Sequence, residues 1–186
     1  MSKPFVSAEP LSTSRLDLLP LRVEDAEEMA AVLSDAALHT FIGGTPYSPE
    51  ALRARYERLV AGSPDPDVTW CNWILRPLTE NCLVGTVQAT ITRGRTGPGR
   101  GTADPGHTAE IAWVVGTRWQ GRGFASEAAR ALVEWLAKRS VRTVVAHIHP
   151  EHLASASVAA AAGLAPTEEE QDGERRWRLD LGGDAP

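Results

Sequence analysis

The sequence predicts an α/β (α+β) single domain built around a mixed, mostly antiparallel sheet that helices flank. Three observations lead to this prediction. Strand-like and helix-like segments follow one another along the chain, three consecutive strand-like segments indicate an antiparallel meander, and a glycine-rich turn joins a strand to an amphipathic helix at residues 110–139. The length of 186 residues allows one domain and leaves little room for a second.

The composition is that of a globular protein and excludes several other classes. Hydrophobic residues make up 42% and charged residues 23%, near the usual averages. No apolar run is long enough for a membrane helix, and the N-terminus lacks the apolar stretch of a signal peptide, so we expect a cytoplasmic protein without a membrane partner. The net charge of −5 argues against general binding to nucleic acid. Cys71 and Cys82 show no disulfide or zinc spacing and are expected to be reduced thiols.

The first part of the chain predicts one strand and two helices. Leu16 and Leu18 alternate with polar neighbours, which is typical of a half-buried strand. Helical spacing of apolar residues over 23–34, with acidic residues in the first turns, predicts the first helix. Ser48 followed by Pro49 marks the start of a second helix that runs to about Gly62. We place the domain at residues 11–181, with flexible ends at 1–10 and 182–186.

The second part of the chain predicts strands and helices in alternation. Strands are expected at 69–75, 83–92 and 109–115, and the glycine- and proline-rich stretch 93–106 predicts a flexible hairpin loop between the last two. The amphipathic helix that follows has its apolar face at Ala125, Ala129, Leu132, Val133 and Leu136. A strand at 143–148, a helix at 153–162 that Gly163 ends, and a last strand at 177–181 complete the order.

The turn at residues 118–126 points most directly to chemistry. Its glycines let backbone N–H groups converge, and the following helix N-terminus adds partial positive charge, so the turn suits a phosphate or pyrophosphate. A Walker loop is absent, and Ser126 stands where a dinucleotide fingerprint needs its third glycine. The pattern that fits is Arg/Gln-x-x-Gly-x-Gly/Ala, matched at Arg118, Gly121 and Gly123.

This pattern resembles the acetyl-CoA pyrophosphate loop of the GNAT superfamily of N-acetyltransferases. Residues 13–26 resemble the "TxRLxLRPLxxxDA" start of the branch that contains the ribosomal-protein N-terminal acetyltransferases. Residues 110–115 resemble its fourth strand, and residues 150–164 resemble its "PENxxSxxVxxxxGF" helix. The resemblance covers roughly residues 11–181, with His152 in place of the usual Asn and Leu164 in place of the usual Phe.

The resemblance implies an enzyme that moves an acetyl group from acetyl-CoA (coenzyme A) to a primary amine by direct transfer in a ternary complex. The fourth and fifth strands, here 110–115 and 143–149, would splay apart around the pantetheine arm. A backbone N–H near Val114 would polarise the thioester carbonyl. The implied coenzyme contacts are Trp113, Val114, Val115, Arg118, Gln120, Gly121, Arg122, Gly123, Phe124, Ala125, Ser126, His152 and Ser155.

Three side chains are candidates for the proton transfers. A lysine-like amine, with a pKa of about 10.4, must lose a proton before it attacks, whereas a thiolate with a pKa of about 8.5 leaves with little help. Glu110 and His147 are the candidate bases; their alternatives are a solvent-facing acid and a structural histidine. Ser155 matches the family's helix serine, either as an acid toward the thiolate or as a group that positions the coenzyme. That branch pairs the serine with a glutamate, which Glu169 matches loosely, and Ala159 stands where other branches have a tyrosine.

The acceptor pocket is expected between the first two helices with their loop and the final hairpin. Its candidate residues are His39, Phe41, Ile42 and Tyr47. The acceptor could be a protein N-terminus or a small amine such as an antibiotic or polyamine, and the family is compatible with a homodimer.

Two other functions stay open at this point, and no metal is expected. The missing consensus Asn and Tyr keep a non-catalytic acyl-CoA-binding sensor or regulatory module in view. A nucleotide-binding α/β protein is disfavoured because the Walker and dinucleotide patterns fail. His147, His149 and His152 lack a carboxylate that would complete a metal site.

Overall fold

A mixed sheet of eight strands forms the centre of the computed structural model, which describes residues 5–94 and 106–182. The strands are β1 (Leu11–Ser12), β2 (Leu16–Pro20), β3 (Val68–Pro77), β4 (Gly85–Thr92), β5 (His107–Val115), β6 (Val141–Ile148), β7 (Ala165–Gln171) and β8 (Glu174–Asp180). The helices are α1 (Ala26–Val32), α2 (His39–Ile42), α3 (Pro49–Ala61), α4 (Phe124–Ala137) and α5 (Leu153–Ala161). This arrangement confirms the predicted fold class.

The sheet opens between its two central strands. The strand order is β1-β2-β3-β4-β5-β6-β8-β7, and every neighbouring pair is antiparallel except β5 and β6, which are parallel. Pairing between β5 and β6 stops at Glu110 and Val145, although β5 continues to Val115 and β6 to Ile148. Beyond Glu110 the two strands therefore separate, which leaves one edge of β5 without a strand partner.

The helices pack on both faces of the sheet. Successive strand residues point to opposite faces of the sheet. On one face, Trp73 packs in the core with Leu132 of α4. On the other face, its neighbour Ile74 packs with Met29 of α1 and Leu52 of α3. All but Leu52 are fully buried. The apolar face predicted for α4 packs in the same core, where all its residues are buried except Ala125, which is partly buried. No helix in the described residues has the length and apolar character needed to cross a membrane.

Most predicted elements lie where the sequence placed them, and three were not predicted. β1 has only two residues. α2 has four residues, too few to show a helical period. β7 runs from Ala165 to Gln171 with almost every residue exposed, so it has no apolar alternation that would predict a strand. Residues 95–105 of the predicted hairpin loop, residues 1–4 and residues 183–186 lie outside the described residues.

The segment before β1 packs against the domain. The indole N–H of Trp73 donates to the Glu9 carbonyl at 2.8 Å, and that of Trp135 donates to the Glu9 carboxylate at 3.0 Å. Arg139 forms an ion pair with the same carboxylate. Glu9 is thus held to the sheet and to α4, and it lies just before residue 11, where the sequence places the start of the domain.

Candidate active site

The gap between β5 and β6 opens into a cavity of about 790 Å³. Its walls are residues 111–115 of β5, residues 146–148 of β6, the turn before α4 and the first turns of α5. Small-molecule sites typically occupy about 300–1,000 Å³, so the volume is sufficient for a coenzyme arm.

The backbone of β5 offers hydrogen-bonding groups to this cavity. β4 and β5 pair in unbroken antiparallel register, and the N–H of Gly116 donates to the Val84 carbonyl at 2.9 Å. Because the direction of backbone groups alternates along an antiparallel strand, Val114 also pairs with β4, whereas Trp113 and Val115 direct their N–H and C=O groups toward β6. These two residues therefore face the gap with their backbone.

This register changes which N–H group can reach a thioester. The resemblance places the carbonyl-polarising N–H near Val114, but Val114 pairs with β4. The Val115 carbonyl accepts a hydrogen bond from the Gln120 side chain at 3.0 Å. The N–H groups of Trp113 and Val115 are therefore the groups on this part of β5 that can bind a ligand oxygen in the gap.

The turn before α4 presents a row of free backbone N–H groups. Gly121 and Gly123 have φ of 72° and 80°, which glycine adopts without strain. Within the described part of the chain, nothing accepts a hydrogen bond from the N–H groups of residues 121–126. The last of these belong to the first turn of α4, where the helix dipole adds positive charge, so the row can hold a pyrophosphate. Gln120, included in the predicted set, donates its N–H to Thr117 at 3.2 Å instead.

The two arginines of this turn point elsewhere. Arg122 forms an ion pair with Glu80 at 2.5 Å, and the guanidinium of Arg118 lies 5.5 Å from the centre of the Trp119 ring. Neither residue is among the walls of the cavity. Their contact with a coenzyme stays a prediction, and in this structure Arg122 has Glu80 as its ion-pair partner.

The two candidate bases contact each other. His147 Nδ1 lies 2.9 Å from Glu110 Oε1. Parallel pairing of Glu110 with Val145 places His147 two residues further along the neighbouring strand, on the same face. The imidazole is 18% exposed and the carboxylate 54% exposed, and only His147 lines the cavity. The two residues thus form one unit with its imidazole facing the gap.

His147 also lines a second, smaller space. Ser155 lies in the first turn of α5, on the wall of the large cavity that His147 also lines. On the hairpin side, Glu169 of β7 forms an ion pair with Arg176 of β8. Glu169, Arg176 and His147 line a cavity of about 260 Å³, so His147 stands on the walls of both cavities.

Comparison with known proteins identifies the family of this fold. The family described as "Acetyltransferase (GNAT) domain" matches residues 15–165, most of the chain. The chain belongs to the GNAT acetyltransferase family. The family is one of acetyltransferases, which confirms the predicted class.

Individual relatives agree with this GNAT assignment. YnaD of Bacillus subtilis, described as an uncharacterized N-acetyltransferase, is 37% identical over 86 residues, which are 46% of this chain and 44% of that protein. The match therefore spans less than half of that relative. A GNAT acetyltransferase from Bacillus anthracis has the same fold with a TM-score of 0.67 at 20% identity, covering 93% of this chain and 99% of that one.

Two structures described with coenzyme A share the fold as well. RimL, named as a ribosomal L7/L12 α-N-protein acetyltransferase, has a TM-score of 0.71 at 16% identity, with 92% and 98% of the two chains covered. The aminoglycoside acetyltransferase AAC(6')-Ib has a TM-score of 0.67 at 18% identity, with 89% and 94% covered. At these identities the likeness establishes the fold alone.

The residues predicted for the acceptor pocket of this GNAT domain differ in their surroundings. Phe41 lines the large cavity. The His39 ring bonds the Gly43 carbonyl at 3.1 Å, and Tyr47 is 47% exposed beneath the guanidinium of Arg55 at 5.9 Å. Ile42 ends α2, and its side chain lies outside what the structure describes.

His152, in the place of the family's usual Asn, belongs to an aromatic group at the cavity. Its ring stacks on Phe41 with centres 4.3 Å apart, and Phe41 also contacts His149 at 5.5 Å. Burial, together with the neighbouring His149, holds the pKa of His152 below its ordinary value. The neutral ring of His152 is therefore favoured next to the gap between β5 and β6.

The cysteines do not fit a covalent mechanism. Burial raises the pKa of Cys71 to about 12. Burial and the nearby carboxylate of Glu80 also raise the pKa of Cys82. Both thiols are thus disfavoured as thiolate nucleophiles. Across residues 5–94 and 106–182, no group of three or more His, Cys, Asp or Glu is placed to hold a metal ion.

Sequence reasoning missed three residues that contact the turn before α4. Glu80 bonds the side chains of Trp119 and Arg122, and Arg15 bonds both the Arg122 carbonyl and Glu127. Glu127 gave a signal, because it follows Phe124 by three residues on the buried side of α4, where a charge needs a partner. Glu80 gave none, since a glutamate in a turn is ordinarily solvated.

Proposed function

We propose that this protein is an N-acetyltransferase that transfers the acetyl group of acetyl-CoA directly to a primary amine. The observation that carries the proposal is the gap between β5 and β6, where an unpaired strand edge and a row of free N–H groups meet in one cavity. The strand edge offers partners to the pantetheine amides, and residues 121–126 offer N–H groups to the pyrophosphate. Trp113 supplies the N–H that stabilises the tetrahedral oxyanion.

His147 accepts the proton of the attacking amine in this proposal, and Glu110 positions it. The contact between Nδ1 and the Glu110 carboxylate favours the tautomer with a proton on Nδ1, which leaves the lone pair of Nε2 free. The carboxylate also stabilises the imidazolium that forms. Because His147 lines both cavities, the coenzyme occupies the larger one and the amine enters from the smaller one.

Ser155 serves the departing thiolate in this arrangement. It lies on the wall of the coenzyme cavity and is half-buried. Its hydroxyl either donates to the thiolate or positions the coenzyme. Since a thiol pKa is about 8.5, loss of this group is expected to reduce kcat less than loss of the base.

The acceptor is a peptide N-terminus or a small amine. RimL and AAC(6')-Ib, which share the fold, are named for a ribosomal protein and for aminoglycosides respectively. The acidic residues of β7 near His147 favour an acceptor with positive charge. A homodimer, a cytoplasmic location and a domain that spans 11–181 stay predictions from the sequence.

The test is release of coenzyme thiol from acetyl-CoA in the presence of a short peptide, an aminoglycoside or a polyamine. We expect turnover with one of these classes, and a fall in kcat of about 10²–10⁴-fold for His147→Gln with loss of the acidic limb of the pH profile. Glu110→Gln should retain that limb with a smaller loss. Coenzyme affinity should stay unchanged in both variants.

Other outcomes would decide against parts of this proposal. An unchanged kcat and pH profile in His147→Gln would remove it as the base. Tight coenzyme binding without turnover on any amine class would favour the acyl-CoA sensor. Absence of coenzyme binding would reject the function altogether.

A further inference from the structure

In the turn that faces the coenzyme, residues 118–123, local backbone hydrogen bonds hold the first half, at Trp119 and Gln120, but the N–H groups of residues 121–123 have no acceptor among the described residues. This coenzyme loop contains two glycines with positive φ, and no side chain in the described part of the chain caps the N-terminus of α4. The lack of a cap keeps the N–H groups free for a ligand. Glycine, however, loses more conformational freedom than other residues when it is ordered. A loop of this kind needs contacts from outside to hold its binding conformation.

Glu80 supplies the first such contact, from the turn between β3 and β4. Its Oε1 accepts from the Arg122 guanidinium at 2.5 Å, and its Oε2 accepts from the Trp119 indole N–H at 3.0 Å. The hydrogen bond from Arg122, followed by that from Trp119, lowers the pKa of Glu80. One ionised carboxylate therefore binds two side chains of the coenzyme loop at once.

Arg15 supplies the second contact, from the turn between β1 and β2. Its Nη1 donates to the Arg122 carbonyl at 2.9 Å, and its Nε donates to Glu127 at 2.7 Å. Glu127 is buried in the first turn of α4, and Thr13 also donates to it at 2.6 Å. The guanidinium lies 5.3 Å from the centre of the Phe124 ring. The planar guanidinium of Arg15 bonds both groups at once and thus links the coenzyme loop to the start of α4.

We propose that Glu80 and Arg15 are positioning residues that preorganise the coenzyme loop for the pyrophosphate, and that Arg122 is the point where both hold it. The inference rests on the proposed coenzyme function. It differs from the sequence expectation, in which Arg122 itself contacts the pyrophosphate. The two views predict opposite changes in coenzyme affinity. If Glu80 anchors the loop, its removal weakens coenzyme binding. If Arg122 itself binds the pyrophosphate, removal of Glu80 frees Arg122 and strengthens coenzyme binding.

The test compares Glu80→Gln with Glu9→Gln, measured as the calorimetric dissociation constant of coenzyme A. Glu9 is a matched control because its carboxylate also binds an arginine and a tryptophan indole, Arg139 and Trp135, away from the cavity. We expect Glu80→Gln to raise the dissociation constant and the KM for acetyl-CoA about tenfold while kcat at saturation stays within about twofold. Glu9→Gln should leave both constants unchanged.

Arg15→Lys and Arg15→Gln extend the test to the second contact. Lysine keeps the positive charge but lacks the planar guanidinium, so Arg15→Lys should retain only part of the coenzyme affinity that Arg15→Gln loses. Unchanged or tighter coenzyme binding in Glu80→Gln and Arg15→Gln would overturn the inference while the function stands. No coenzyme binding by the unaltered protein would overturn both.

Discussion

At the scale of single residues, the chemistry depends on contacts that sequence spacing does not show. Glu110 and His147 were separate candidates because 37 positions divide them, yet the register of two parallel strands brings their side chains to 2.9 Å. Arg122 shows the opposite case. Its place in the glycine turn predicts a coenzyme contact and gives no sign of the ion pair with Glu80, a carboxylate from a distant turn.

His152→Asn, which restores the family's usual residue, should reduce the dependence of stability on pH. The folded pKa of His152 lies below the unfolded value of 6.5, so the unfolded state binds more protons and stability falls as pH drops below about 6.5. Asparagine cannot titrate, so the variant should lose less stability as the pH falls. Urea unfolding at pH 7.5, 6.5 and 5.5 measures the free energy of unfolding, and Ser157→Ala in α5, the helix that begins after His152, is the control. Equal pH slopes in His152→Asn and the unaltered protein would contradict the argument.

At the scale of elements, the strand, glycine turn and helix at residues 107–137 could be predicted because each has a local signal. The turn needs glycine at positive φ, and α4 has an apolar face with a helical period. What holds the turn could not be predicted, because Glu80 and Arg15 are 39 and 107 residues from the residues that they bind. Side-chain partners across such separations follow from packing alone.

Glu127→Gln tests how the start of α4 is held. Burial acts to raise the pKa of Glu127, but hydrogen bonds from Thr13 and Arg15 outweigh it and lower the pKa from 4.5. Because the folded pKa is depressed, this carboxylate stabilises the fold above about pH 4.5, and the contribution is lost as pH falls through the folded pKa. We expect Glu127→Gln to lower the free energy of unfolding at pH 7 by about 1–3 kcal/mol.

The measurement is chemical unfolding of Glu127→Gln from pH 7 to pH 3. The difference from the unaltered protein should narrow as the solution becomes more acidic. Glu134→Gln, in an exposed part of the same helix, is the control and should show almost no difference. A constant difference at every pH would show that ionisation of Glu127 plays no part.

At the scale of the whole molecule, one sheet with helices on both faces supports the gap at its centre. The cavity walls come from β5, β6, α4 and α5, which share one core, so the gap depends on packing far from the ligand. Leu132 of α4 is fully buried in that core, whereas Leu78 in the turn after β3 is 55% exposed.

Leu132→Ala and Leu78→Ala form a matched pair for this core. Leu132→Ala should lower the free energy of unfolding by about 2–5 kcal/mol, because it removes buried methyl groups and leaves a cavity. Leu78→Ala should change it by less than about 0.5 kcal/mol, because that side chain is already hydrated. Urea unfolding at pH 7 measures both. Equal effects would mean that α4 contributes little to the common core.

The sequence by itself determined the fold class, the order of the main strands and helices, and the GNAT family, because periodicity, glycine turns and short motifs are local properties. Phe41 and Tyr47 illustrate its limit: they are close in sequence, yet one lines the coenzyme cavity and the other lies exposed. Only the tertiary structure decided that Trp113 faces the gap instead of Val114, that His147 meets Glu110, and that Arg122 is bound by Glu80. Each of these depends on strand register or on contacts between distant turns, and packing of the whole chain sets both.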